Sequence, residues 1–483
     1  MPPLRTRLAY GAGGAVYAVK EAAYTMFVLL YYTQVLGLAG TTTGLIIALS
    51  LFWDAISDPL VGALSDRHRS RQGRRHPFLF ASIIPLGLGF FGLFAAPSGV
   101  QDSQLLLAGW LLFWSLWVRT FVTTFSVPHL AMSTDITSDY HGRSQILGTR
   151  LAFMFLFSVL MPAVALVFIF PDSGSGDGRF LPENYPLYGA LSCAVCWLAA
   201  SLSSFGTLRY ATPGTALNTS LPEIAARQST LSEDLLRTLS NRSFRYVLGF
   251  DISIMAAYGV ISALNMLVWT YYWEFSAWQV SIILSIPSLL AISLVMLTLR
   301  PLGRRFEKYE LLRLSTVVLI LNCLWLYPLR MFELLPDNGH WLVFALNFLF
   351  MLIFMYCFLM RSIQTQSIIA DITDQHEWEH GQRQEGGFFA ASNFASKVAT
   401  VTGPLYGGVV LDLIGLNAGM LPGAVGQPVL DGLAIAFGLG TIPGMVIALL
   451  FALRIDLSRQ RVEELQTALH ARATAVTPQL TDA

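Results

Sequence analysis

Two carboxylates, Asp54 and Asp58, lie inside the largely apolar segment Trp53–Pro59. On a helix, their four-residue spacing places both side chains on one face, one turn apart. An ionised carboxylate at the centre of a bilayer costs roughly 2.5–3.5 kcal/mol. Two on one face also repel each other unless a cation or a proton lies between them. We therefore interpret the pair as a site that binds Na⁺ or takes up H⁺. A hydrogen-bonded pair that only holds two helices together is the alternative.

Further oxygen donors are available beside this pair of acids. Ser57 lies between them in the sequence, and Thr123 belongs to a later apolar segment that could pack against them. Hard cations prefer oxygen ligands, so two hydroxyls would complete the site. The predicted cation site comprises Asp54, Ser57, Asp58 and Thr123, and any bound metal ion would be Na⁺ at the two carboxylates.

Two of the three lysines in the chain, Lys20 and Lys397, also fall within apolar segments. A lysine at membrane depth needs a partner, and for Lys397 we expect Asp54 or Asp58. We hypothesise that Lys397 alternates between that partner and a substrate, and a purely structural ion pair is the alternative. The adjacent Lys20 and Glu21 either compensate each other or line the same cavity. Arg119 and Asp251 are expected to face partner helices.

The composition explains why these groups must be paired. Of 483 residues, 54% are hydrophobic and only 12% are charged, and the net charge is zero. Soluble domains carry about a quarter charged residues, so this chain belongs in a bilayer. Without surplus cations to neutralise phosphates, nucleic acid is not an expected partner. Apolar stretches of about 20 residues recur along the chain, and we count twelve predicted membrane-spanning helices.

Cations are distributed unequally between the loops on the two sides of these helices. One set of loops offers only Arg179 and Arg330. The other set carries Arg5, Arg7, Arg67, Arg69, Arg71, Arg74, Arg75, Arg143, Arg227, Arg237, Arg242, Arg304, Arg305, Lys308, Arg383, Arg459 and Arg461. This asymmetry predicts an inner- or plasma-membrane protein with both termini in the cytoplasm.

The predicted organisation is two six-helix bundles, residues 1–208 and 245–454. Between them lies a cytoplasmic connector, residues 209–244, for which we predict a short amphipathic helix. Residues 455–483 form a cytoplasmic tail, which we expect to be frayed beyond about Arg461 because it is polar.

The two bundles repeat one another in sequence. Gly73-Arg74-Arg75 has a counterpart in Gly303-Arg304-Arg305, and Asp135-Ile136-Thr137 has one in Asp371-Ile372-Thr373. Such a repeat is typical of alternating-access transporters, whose site lies between the halves. We expect loop charges near these motifs to form a cytoplasmic gate that holds the halves together when the cavity opens outward. The predicted gate residues are Asp66, Arg67, Arg75, Asp135, Arg143, Asp371 and Arg383.

At several motifs the chain resembles the glycoside–pentoside–hexuronide:cation symporters, a melibiose-permease-like branch of the major facilitator superfamily. The matching segments are 7–11, 31–33, 53–59, 65–67, 73–77, 127–128 with Arg143, and 370–378 with 385–386. The resemblance implies an all-α integral membrane protein with twelve transmembrane helices in two pseudo-symmetric bundles, the major facilitator fold. It also places the family's cation site on the four residues named above and its central lysine on Lys397.

The substrate side of the site departs from the family pattern. A span-one lysine–aspartate pair of the galactoside carriers falls on Tyr17-Ala18, one turn before Lys20, and a span-four aspartate falls on Ser126. Arg150 matches a sugar-contacting arginine. The predicted substrate-binding residues are Tyr17, Lys20, Glu21, Ser126, Arg150 and Lys397.

We therefore predict a secondary active transporter that couples Na⁺ or H⁺ to a sugar, glycoside or hexuronide by alternating access. No Walker or Gly-x-Ser-x-Gly motif is present, so we expect no enzyme activity and no cofactor. The expected partners are the bilayer and a small solute, and the cationic residues above are compatible with an anionic one. We expect a monomer. Two alternatives stay open: a symporter of lysolipids or other amphiphiles, and a receptor that binds solute without moving it.

Overall fold

The computed structural model describes residues 2–137, 139–173, 176–211, 239–380, 385–456 and 458–476. The predicted amphipathic helix of the connector lies outside these ranges. Backbone groups in a bilayer must be satisfied within the protein, so helices are expected throughout the apolar segments. The described residues form twelve helical spans, numbered here in chain order, and one two-stranded hairpin of Asp172–Ser173 and Gly176–Asp177.

The first bundle contains spans 1 to 6. Their helical segments are Leu4–Ala12, Gly14–Ala22, Ala23–Val28 and Tyr31–Val35 (span 1), Gly40–Arg67 (span 2), His76–Phe94 (span 3), Gln104–Ala131 (span 4), Tyr140–Val164 and Ala165–Ile169 (span 5), and Asn184–Thr207 and Leu208–Tyr210 (span 6). Short helices at Ser98–Gln101, Ser133–Ile136 and Gly178–Phe180 lie in the connections.

The second bundle contains spans 7 to 12. Their helical segments are Arg242–Leu267 and Val268–Tyr272 (span 7), Ala277–Arg305 (span 8), Lys308–Cys323 and Leu326–Met331 (span 9), Trp341–His380 (span 10), Glu385–Thr400 and Thr402–Ile414 (span 11), and Gln427–Phe437, Leu439–Thr441 and Ile442–Ala452 (span 12). Within the described residues, 11 helices are long and apolar enough to cross a membrane. Span 1 is divided at Gly13 and carries Lys20 and Glu21.

The tail does not fray where the sequence predicted it would. A helix covers Arg459–Val476, with Val462 and Leu465 buried. Its amide Gln466 donates to Asp374 at 3.0 Å, and the backbone N–H of Arg459 donates to Glu307. The prediction failed because these two apolar side chains, one turn apart, pack against the second bundle.

We call the end that carries the termini the inner end and the opposite end the outer end. The bundles meet closely at the outer end, where spans 2 and 11 cross. A Cβ atom added at Gly408 would collide with the carbonyl oxygen of Gly40, and one at Gly44 would collide with that of Pro404. Only glycines permit this approach of two helix backbones.

Polar bonds reinforce the outer contact. Asp412 of span 11 accepts from the backbone N–H groups of Gly40 and Thr41, at 2.8 and 2.7 Å, and so caps span 2 across the two bundles. The buried Arg179 guanidinium donates to Thr270 at 2.8 Å and to the Phe275 carbonyl at 2.6 Å. The outer end is therefore closed.

We expect Gly408→Ala to shift the protein toward a state whose outer end is open, because the added methyl collides with Gly40 only while the outer ends touch. Overpacking of this kind costs about 1–3 kcal/mol. A cysteine introduced at Ser126, which lines a cavity near the inner end of the bundles, should then react more slowly with a thiol reagent applied from the inner side. The four native cysteines are buried, so their background labelling should be low.

Gly407→Ala is the matched control, since a Cβ there meets its nearest neighbour, Ala263, at an ordinary 3.5 Å. Equal labelling of the Ser126→Cys site in the Gly407→Ala and Gly408→Ala variants would contradict the role of the glycine contact.

Candidate cation and substrate site

Four oxygen-bearing side chains converge where spans 2 and 4 pack together. The hydroxyl oxygen of Thr123 lies 3.0 Å from Asp54 Oδ1, 2.9 Å from Asp58 Oδ1 and 3.4 Å from the Ser57 hydroxyl. Asp54, Ser57 and Thr123 are buried. A single hydroxyl hydrogen cannot satisfy two carboxylates at once. The geometry therefore suits a proton on one carboxylate or a small cation among the oxygens.

The local sequence explains how these oxygens meet. The four-residue spacing of the two acids places them on the face of span 2 that packs against span 4. The register between the two helices is supported by Trp53, whose indole N–H donates to Thr120 at 2.9 Å, and by Arg119, whose Nε donates to Ser50 at 2.8 Å. Thr123 lies one helical turn beyond these contacts and therefore faces the acids.

Asp54 is surrounded by cationic groups of its own bundle. Its Oδ2 atom lies 3.5 Å from both Lys20 Nζ and the Arg119 guanidinium. Lys20 also pairs with Glu21 at 3.0 Å and lies over the ring of Tyr17, 4.2 Å from its centroid. Since Lys20 and Arg119 are almost completely buried, the charge of Asp54 is compensated inside the protein.

Asp58 has a different partner, Lys397 of span 11, and the two side chains are in direct contact. Among the described residues, this is the only ion pair that joins the two bundles. Both side chains are partly accessible, with 27% of Asp58 and 33% of Lys397 exposed. The pair can therefore exchange partners at lower cost than the buried contacts around Asp54.

These residues line a cavity between the bundles, which consists of two adjacent parts that share the lining residues Tyr17, Lys20, Asp54 and Lys397. The part nearer the outer end, of about 250 Å³, is lined by Tyr17, Lys20, Glu21, Tyr258 and Lys397, among others. The part nearer the inner end, of about 350 Å³, is lined by Asp58, Thr123, Ser126, Arg150 and Ala131, among others. All six predicted substrate residues thus line one or both of these adjacent parts.

The predicted gate residues form pairs within each bundle in this inward-facing arrangement. Arg75 pairs with Asp66 at 3.6 Å and with Asp135 at 2.8 Å, and all three belong to the first bundle. Asp371 pairs with Lys308 at 2.5 Å in the second. Arg67 and Arg143 are exposed, and Arg383 lies outside the described residues. A cytoplasmic gate in which these residues join the two bundles in an outward-open state stays a prediction.

Sequence reasoning missed Arg361 of span 10. Its guanidinium lies 3.2 Å from Asp251 of span 7 and 4.7 Å from the centroid of the Phe358 ring. Asp251 also accepts from the hydroxyls of Ser392 and Ser396. Arg361 is an arginine inside an apolar span, and that signal alone could have identified it as the partner of Asp251.

Comparison with known proteins identifies the fold and the protein family of this chain. Residues 9–459 match the family described as MFS/sugar transport protein. The chain belongs to this family of transporters. The predictions of a major facilitator fold, an integral membrane location and a transporter that is not an enzyme are therefore confirmed.

Individual relatives align with this MFS transporter over most of its length. A protein of Escherichia coli named as a glycoside/cation symporter, YagG, is 26% identical over 417 residues, which cover 86% of this chain and 84% of the relative. A protein of Salmonella typhimurium named as a sulfoquinovose importer is 22% identical and covers 85% and 81%. Several further relatives align over only 27% to 37% of their own length.

A solved structure shares the fold at low sequence identity. The xylose transporter XylE of E. coli superimposes with a TM-score of 0.60 at 16% identity, covering 96% of this chain and 98% of that one.

Removing one partner of the buried Asp251–Arg361 pair should destabilise the transporter. Arg361→Met leaves Asp251 buried without its cation, which costs about 3–5 kcal/mol, and the midpoint of thermal unfolding in detergent should fall. Asp251→Leu combined with Arg361→Met should recover most of that loss, because no buried charge remains.

Arg245→Met is the control, because Arg245 is an exposed arginine of the same bundle. A double variant as unstable as Arg361→Met alone would show that the two residues do not form an energetic pair.

Proposed function

We propose that this MFS transporter is a symporter in which a cation, Na⁺ or H⁺, binds between Asp54 and Asp58 and drives movement of a sugar-type solute. The observation that carries the proposal is the position of the Thr123 hydroxyl, within 3.0 Å of both carboxylates. One cation or proton at this point would resolve the competition for a single hydroxyl hydrogen. Relatives named as a glycoside/cation symporter and a sulfoquinovose importer support the same class.

Coupling would operate through the contact between Asp58 and Lys397. A cation that binds beside Asp58 supplies the positive charge that Lys397 otherwise provides, so the Lys397 ammonium is released toward the cavity. The freed ammonium then favours a solute that accepts hydrogen bonds or carries negative charge. By linkage, the solute strengthens cation binding to the same degree.

The energy available to such a symporter is sufficient for accumulation. One cation moving inward across about 100 mV supplies about 2.3 kcal/mol. A tenfold concentration gradient adds about 1.4 kcal/mol. Together these would sustain a solute ratio of several hundred.

The charges around the cavity favour an anionic solute such as a uronide. The cavity contains four cationic side chains and three acidic ones, so it holds a surplus cation before the coupling ion binds. The cationic residues are Lys20, Arg119, Arg150 and Lys397, and the acidic residues are Glu21, Asp54 and Asp58. The coupling ion raises this surplus, and a carboxylate or sulfonate on the solute would balance it.

We further propose that the inner end faces the cytoplasm and that the transporter works as a monomer. The arginine-rich loops lie at the inner end and attract the anionic leaflet. Inter-bundle contacts then close the cavity toward the outside in the inward-facing state.

Asp58→Asn should abolish gradient-driven uptake of solute into proteoliposomes, because the cation loses one of its two carboxylates. Thr123→Val should raise the cation concentration for half-maximal uptake about tenfold, since one oxygen of the site is removed. Radiolabelled solute would be measured with an imposed Na⁺ or H⁺ gradient.

Thr124→Val is the matched control, because the Thr124 hydroxyl bonds only to the Thr120 carbonyl of its own helix. Unchanged gradient-driven uptake by Asp58→Asn would refute the coupling site. Solute binding without uptake by the wild-type protein would indicate a receptor, and competition by lysolipids but not by sugars would indicate a lipid carrier.

Arg150→Gln should weaken transport of a uronide more than transport of its neutral glycoside, by about tenfold in half-saturating concentration. Among the described residues, the buried Arg150 Nε atom has no hydrogen-bond partner, so a solute carboxylate would supply the missing acceptor. Equal effects on both solutes in the same uptake assay would exclude Arg150 as the residue that recognises negative charge.

A further inference from the structure

A groove runs between the inner ends of spans 1 and 6, on the side of the first bundle. It has a volume of about 490 Å³ and shares no lining residue with the cavity between the bundles. Its lining residues are Arg5, Thr6, Ala9, Leu198, Ser201, Leu202, Phe205, Gly206 and Arg209. We propose that this groove binds an anionic phospholipid, with its phosphate against the two arginines and an acyl chain along the apolar wall.

The polar end of the groove can receive a phosphate group. Arg5 is exposed and has no hydrogen-bond or ion-pair partner among the described residues, and Arg209 donates one guanidinium N–H to the Thr6 hydroxyl. Among the described residues, no acceptor binds the other N–H donors of Arg209, and its guanidinium lies 4.9 Å from the centroid of the Tyr210 ring. A guanidinium with free donors binds phosphate oxygens in a bidentate manner.

The first turn of span 1 adds a further attraction for an anion. Span 1 begins at Leu4, and no side chain of the described residues caps that end of the helix. The unsatisfied backbone N–H groups of a helix N-terminus carry partial positive charge and favour negatively charged groups. Arg5 and Thr6 belong to this turn, so the helix end and both arginines act at one place.

The wall of the groove is apolar and accessible. Leu198 and Phe205 are each 63% exposed and Leu202 is 51% exposed, all on span 6. At Gly206 the helices come so close that an added Cβ would collide with Ala9. The groove is therefore apolar along its length and cationic at its inner end, which matches a lipid that lies at the bilayer interface.

The charge of the groove selects among possible lipids. None of the described residues that line it is acidic, so nothing in the lining compensates the two arginines. A zwitterionic headgroup brings its own cation toward these arginines and gains less than an anionic one. A soluble anion would gain nothing from the apolar wall.

Native mass spectrometry of the purified full-length protein, exchanged into detergent with phosphatidylglycerol or phosphatidylcholine, tests this inference. We expect the wild-type protein to retain phosphatidylglycerol preferentially. Arg5→Gln combined with Arg209→Gln should lower the apparent affinity for phosphatidylglycerol about tenfold, because two cations are removed. Phosphatidylglycerol should also raise the thermal unfolding midpoint of the wild-type protein more than that of this variant.

Two further variants keep the test decisive. Leu202→Trp fills the apolar wall while both arginines stay, and it should also reduce retention of phosphatidylglycerol. This variant provides an independent test if the double arginine variant folds poorly. Arg69→Gln combined with Arg71→Gln removes two exposed arginines outside the groove and should leave retention unchanged.

Equal retention of the two lipids would overturn the inference. An equal loss in the Arg69/Arg71 control would overturn it as well, because that result would reflect general surface charge.

Discussion

The need to compensate charge inside a low-dielectric membrane governs this structure. Two buried carboxylates in the middle of the bundles have oppositely charged neighbours: Asp54 has Lys20 and Arg119, and Asp251 has Arg361. An isolated charge at this depth would cost several kcal/mol, so the helices must rotate until these partners meet. Helix packing and the position of the cavity follow from that requirement.

The charge pairs differ in how easily they can be broken, and this difference suits a transporter. The Asp54 contacts are buried within the first bundle and the Asp251 contacts within the second, so they keep each bundle rigid. The Asp58–Lys397 contact joins the bundles and is partly accessible to solvent. Because solvent screens it, this pair can separate while the buried pairs persist. The interaction that must change during transport is thus the least costly to change.

The outer end holds the bundles together by packing and directional hydrogen bonds. Gly40 and Gly408 bring two helix backbones into contact, and Asp412 caps the helix that begins at Gly40. Helix capping and close packing of this kind have two discrete arrangements, formed or broken, rather than a continuous range. Such contacts allow a rigid-body movement between two states.

The sequence alone determined the membrane class, the twelve spans, the two-bundle repeat and the Asp54–Asp58 pair, because hydropathy and helical spacing are local properties. From the sequence, the partner of Lys397 could be either Asp54 or Asp58, and Arg361 was not identified as the partner of Asp251. It also predicted a frayed tail where Val462 and Leu465 are buried against the second bundle. These points depend on the rotation and register of helices that are distant in sequence. Only the tertiary structure pairs Lys397 with Asp58 and brings Thr123 within 3.0 Å of both acids, because these contacts arise where separate helices pack.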